Sequence, residues 1–226
     1  TRAIEVGRLL QDNGISHYEE PCPYWEFEQT KQVTDALDLD VTGGEQDCML
    51  ANWQTMIKDR VVDIIQPDVC YLGGISRTLR VVEMAKLAGL PVTPHCANLS
   101  LVTLFTMHLL RAIPNAGKYL EFSIEGLDYY PWQENLFVTS PFTISDGQAV
   151  VTDTPGWGVE INTEWLEKYR DHISNSKFID LALNSQLSHF DGENGTKIFG
   201  ANIISKNQNF LIKAKFYILA CGGVEN

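Results

Sequence analysis

The sequence predicts an α/β chain, an incomplete (β/α) barrel followed by a tail rich in β-hairpin. Three observations carry that expectation. Short apolar runs alternate with helix-length amphipathic stretches, a pattern that demands parallel strands and crossover helices. Most of the runs close on an ionisable residue, and these residues recur at a near-constant interval. Composition then changes abruptly near residues 170–176.

In chain order, residues 3–13 have helical spacing (Ile4, Leu9, Leu10) and stop at Gly14. The run 15–18 closes on Glu19-Glu20-Pro21, and a helix-like stretch follows over 25–37. The run 39–45 ends on Gly43-Gly44-Glu45, with helix expected over 53–58. Residues 61–69 read as a buried strand through Gln66-Pro67-Asp68, and 77–88 as a helix stopped near Gly89. A strand over 91–95 ends on His95, a helix spans 99–113, and a strand over 119–123 carries Glu121. Residues 142–151 read as a hairpin with Asp146-Gly147 at its turn.

Glu19, Glu45, Asp68, His95 and Glu121 are separated by 26, 23, 27 and 26 positions. That is about one βα unit, since roughly 250 residues make eight units of a closed barrel. In a barrel all strand C-termini open on one face, so groups in this phase converge on one mouth. An open sheet would spread them along an edge. A single acid after a strand is more often a helix cap than a ligand, but capping does not require one ionisable group per unit at strand ends.

The first 170 residues hold 24 acids and 12 bases, and the last 56 hold five of each. All nine prolines and all five tryptophans precede the change, while seven of thirteen asparagines follow it. Two unlike segments, 1–170 and 171–226, are therefore expected. The net charge of -12 argues against nucleic acid or an anionic membrane as partner. Five scattered cysteines without a CxxC pair read as reduced thiols of an intracellular protein. No apolar stretch reaches the roughly 18 residues that span a bilayer, and no signal peptide is recognisable, so a cytoplasmic location is expected.

Taken in order, Tyr18-Glu19-Glu20-Pro21, Gly44-Glu45, Gln66-Pro67-Asp68 with Leu72-Gly73-Gly74, Pro94-His95, Leu120-Glu121 and Pro155-Gly156-Trp157-Gly158-Val159-Glu160 resemble the enolase superfamily. The likeness is to its mandelate racemase subgroup, which includes acid-sugar dehydratases, and covers roughly residues 1–168. It implies a TIM-type barrel from about strand 4 to strand 8, with 135–160 returning toward a capping domain. It further implies Mg²⁺ held by Glu19 and Glu45, with Glu20 on the other strand face. Asp68 and His95 would form the proton-transfer dyad, and Glu121 would hydrogen-bond near the substrate carboxylate. Muconate-lactonising relatives place a Lys where this chain has Asp68, which favours racemisation or dehydration of a sugar acid. Gln46, Asp47 and Asn98 could contact polyol hydroxyls, or serve as ordinary turn and cap residues. A homo-oligomer is expected at full length.

The resemblance also implies an upstream Asp ligand, a Lys pair and the capping domain, all before Thr1. The chain alone is accordingly expected to bind Mg²⁺ weakly and to be inactive. In the tail, 200–207 and 210–221 read as strands about a turn at 207–209. Residues 214–226 resemble the flavin-binding segment of glucose-methanol-choline oxidoreductases, without a GxGxxG turn. An inert fusion piece or a flavoprotein fragment is thus the alternative to a lyase or racemase.

Overall fold

A computed structural model describes residues 2–177, 185–193, 196–206, 208–215 and 217. They form two compact units that meet in sequence at Asn162 and Thr163.

The first unit is built of βα repeats. Helix α1 (Arg2–Asp12) ends at Gly14, whose φ of 76° reverses the chain into β1 (His17–Glu19). Next come α2 (Phe27–Thr34), β2 (Asp40–Gly43), α3 (Leu50–Lys58), β3 (Ile64–Ile65), α4 (Ile75–Leu87) and α5 (Leu101–Ala112). The strands are parallel, with Glu19 opposite Thr42 and Gly43 opposite Ile65. Parallel single-residue bridges continue the series from Ile65 to Val92 and from Val92 to Ala116. Spatial order therefore follows chain order, as in the wall of a (β/α) barrel. Val41, Trp53, Ile65, Val81 and Val92 are fully buried in one cluster packed between this sheet and its helices. Burying a side chain of this size contributes about 1.5–3 kcal/mol.

Two expected strands shrink. Residues 91–95 form no strand and only the single bridge at Val92, because Pro91 and Pro94 bring no backbone donor, although backbone bonds to Ile65 and Pro67 run along the segment. The last pairing falls at Ala116 rather than over 119–123, where the structure has no strand. There Gly117 lies so close to Thr93 that an added Cβ would sit 2.0 Å from Oγ1. A returning segment pairs Phe137 with Ile161 in antiparallel fashion. The hairpin β4 (Ile144–Ser145) and β5 (Gln148–Ala149) turns on Asp146 and Gly147, at φ 51° and 74°. Two successive positive φ angles match the twist of hairpin strands, which explains the Asp-Gly pair.

The second unit holds α6 (Thr163–Ser174) and an antiparallel sheet of β6 (Ser185–Glu193), β7 (Lys197–Ser205) and β8 (Gln208–Ile212). Sequence reading missed α6 and β6. Beta6 is too polar to stand out as an apolar run. The expected strand 210–221 stops at Ile212, and most of 214–226 lies outside the described residues. No described helix is long and apolar enough to cross a membrane.

Candidate functional site

The ionisable residues that end successive units come together, each set by its own loop. Asp68 follows β3, and its Oδ1 accepts the backbone N–H groups of Cys70 and Tyr71 at 2.6 and 2.8 Å. This Asx-type turn fixes the carboxylate and leaves Oδ2 free. His95 is tied back to the same loop through its backbone N–H to the Pro67 carbonyl, 3.2 Å. Its Nδ1 lies 2.7 Å from Asp68 Oδ2, with both residues buried. That contact leaves Nε2 as the working nitrogen, 3.2 Å from Glu45 Oε2 and 3.8 Å from Glu121 Oε2.

Glu45 owes its place to Gly43 and Gly44, which carry the chain over the end of β2. Gly44 has a φ of 109°, open to glycine and costly for other residues. Glu121 Oε2 accepts the Cys96 N–H at 3.0 Å, binding that carboxylate to the segment after His95. Glu19, at the end of β1, accepts from Gln66 Nε2 at 3.2 Å. Sequence reading saw Gln66 only as part of a motif; its placement beside Glu19 needs the parallel register of the strands. The Tyr71 ring, stacked near His95 at 6.0 Å between centroids, had no sequence signal at all.

Other expectations resolve locally. Glu20 lines a small cavity with Phe27, Thr30, Met56 and Val62 and packs near Gly43. Asp47 accepts Asn52 Nδ2 and, through its carbonyl, Trp53 Nε1, so it holds a turn. Asn98 accepts from Ser100 Oγ through its side chain and from Thr103 Oγ1 through its carbonyl, just ahead of α5, whose N-cap is Ser100.

Electrostatics reflect crowding of acids around one base. Burial disfavours the His95 imidazolium, but the Asp68 hydrogen bond and the Glu121 and Glu45 charges outweigh it, raising its pKa to about 9. Burial, followed by repulsion from Glu20, Glu19 and Glu121, lifts Glu45 to about 7 against the pull of His95. Glu121 is also raised, chiefly by burial. Repelling carboxylates with hard oxygen donors suit a divalent cation such as Mg²⁺. Glu19 and Glu45 would supply only part of its shell, and no set of three or more His, Cys, Asp or Glu residues is arranged to hold a metal among the described residues.

Comparison with known proteins places the chain in a family. Residues 1–165 match the family described as enolase C-terminal domain-like. The chain belongs to the enolase C-terminal domain-like family. It is 29% identical to an arabinonate dehydratase of Saccharolobus solfataricus over 74% of this chain and 43% of that protein. A solved structure of a candidate racemase from Roseobacter denitrificans is 78% identical, with a TM-score of 0.72 over 74% of this chain and 46% of that one. An L-talarate dehydratase from Polaromonas sp. JS666, complexed with Mg and L-glucarate, is 25% identical, with a TM-score of 0.61 over 74% and 42% of the two chains. This member of the enolase C-terminal domain-like family thus spans less than half the length of those relatives. The match stops at residue 165, and nothing in these relatives supports the flavin likeness of 214–226.

Proposed function

We propose that this chain contributes the proton-transfer dyad and part of the Mg²⁺ site of an enzyme that deprotonates the carbon next to a carboxylate. Dehydration of a sugar acid is the preferred reaction. The observation that carries this reading is His95, with Nδ1 held by Asp68 at 2.7 Å and Nε2 turned toward Glu45 and Glu121. Asp68 fixes the tautomer and balances the imidazolium, so His95 can exchange a proton at Nε2 with little rearrangement. In dehydration that nitrogen takes the α-proton or delivers a proton to the departing β-hydroxyl. Glu121 would hydrogen-bond near the substrate carboxylate; burial raises its pKa, which favours sharing a proton there. Glu19 and Glu45 would hold Mg²⁺, which when bound supplies Lewis acidity toward the negative charge developing on the substrate carboxylate.

In the same reading, residues 1–170 are the C-terminal part of the barrel, about strands 4–8, with 135–160 returning toward a capping domain. Residues 171–226 are a separate segment, and the full-length protein is a cytoplasmic homo-oligomer. Racemisation is the second reading, favoured by the 78% identity to a candidate racemase. Incubating the full-length protein with Mg²⁺ and a panel of sugar acids in D₂O decides between them. Dehydration yields a keto acid, whereas racemisation returns the substrate carrying α-deuterium. Failure of every acid to exchange, or undiminished exchange in His95→Asn, would overturn the proposal.

A further inference from the structure

The two halves of the candidate site ride on separate loops, Glu45 on the one after β2 and Asp68 on the one after β3. Each loop is folded on itself. In the first, the Asp47 N–H reaches the Gly44 carbonyl at 3.1 Å. In the second, the Leu72 N–H reaches the Asp68 carbonyl at 3.0 Å and the Gly74 N–H reaches that of Val69 at 2.7 Å.

One side chain ties the loops together. Arg77, in the first turn of α4, donates from Nε to the Leu72 carbonyl at 2.7 Å and from Nη2 to the Cys48 carbonyl at 2.9 Å. The guanidinium fork presents donors in two fixed directions, which a lysine ammonium cannot reproduce. Its position does not help the helix. Alpha4 has no acid in its first turn and no side-chain bond at its Gly74 cap. A cation there faces the positive end of the helix dipole. The two carbonyl bonds are what offset that cost.

We propose that Arg77 is a positioning residue, a strut between the two loops that sets how Glu45 Oε2 approaches His95 Nε2. Its importance for catalysis rests on the functional reading above; its geometry does not. The test uses the whole chain labelled with ¹⁵N. In Arg77→Ala, amide exchange at Asp47 and Leu72 should rise about tenfold or more, while Val82 and Ala85 inside α4 keep their protection. The His95 imidazole ¹⁵N resonances should shift, and methylguanidinium should restore both readouts. Arg77→Lys, which keeps charge and bulk should the alanine variant fail to fold, should show the same two changes. An increase spread evenly through α4 and the β2–β3 pair would overturn the strut in favour of a general stability role. Unchanged His95 resonances would overturn it as well. Neither readout needs turnover, so failure of α-proton exchange in the unaltered protein would count against the functional reading alone.

Discussion

Trp53 fills the space beneath Gly44: a Cβ added at that glycine would lie 2.5 Å from Cη2 and 2.8 Å from Cζ3 of the indole. Trp53 is fully buried and donates Nε1 to the Asp47 carbonyl at 2.9 Å, so it cannot swing away cheaply. Gly44→Ala combines this clash with a positive φ. It should destabilise the chain by about 2–4 kcal/mol, the range expected for backbone strain plus overpacking. Urea titration would measure the shift in midpoint.

Glu45 should limit stability for the sake of its site. Its folded-state pKa of about 7 stands above the ordinary 4.5. The folded state therefore holds that proton more tightly than the unfolded chain, and stability falls as pH rises through the interval between the two values. Glu45→Gln should gain on the order of 1–3 kcal/mol at pH 8 without divalent cations and nothing at pH 4. Paired urea midpoints at the two pH values, equal in their difference from the parent, would refute this.

The charge on His95 depends on Asp68. Asp68→Asn keeps an oxygen for the Cys70 and Tyr71 N–H groups but removes the anion from the imidazole. The His95 pKa should fall from about 9 by roughly a unit or more. NMR titration of its Cε1 proton reports this directly.

Thiol labelling should be ordered by exposure and by burial of charge. Cys48 is exposed, whereas Cys96 is buried and its thiol is pushed up to about 12, chiefly by that burial. Iodoacetamide at pH 8 should therefore modify Cys48 in the folded chain and reach Cys96 only on unfolding. Peptide mass spectrometry would show the order.

How much of this was legible beforehand differs by feature. The near-constant interval between Glu45, Asp68, His95 and Glu121 sufficed to place them at one mouth, because a closed (β/α) wall repeats with the unit length. Strand extents were not legible. Apolar runs mark burial, but pairing near Val92 is cut short by flanking prolines, and the last bridge slides to Ala116 beside the close approach of Gly117 to Thr93. Asp47 and Asn98 fit polyol contacts or ordinary turn and cap roles equally well in sequence, whereas in the structure Asp47 bonds to Asn52 and Trp53 and Asn98 to Ser100 and Thr103. Only three-dimensional partners reveal this. The Arg77 bonds end on backbone carbonyls, which leave no trace in residue identity.

The parallel ladder thins along the chain, from three residue pairs between β1 and β2 to two between β2 and β3, then single bridges at Val92 and Ala116. For a chain that must find this arrangement, that gradient sets an order of events. Local βα pairs at the start close their loops against the longest ladders, while the final unit is held by two backbone bonds, the Val92 N–H to the Asn115 carbonyl at 2.8 Å and the Gly117 N–H to the Val92 carbonyl at 2.7 Å. Glu121, bound to the Cys96 N–H, is therefore expected to join the mouth last, and pulse-labelled hydrogen exchange that protected the Cys96 N–H as early as the Glu20 N–H, which bonds to the Thr42 carbonyl, would refute that order.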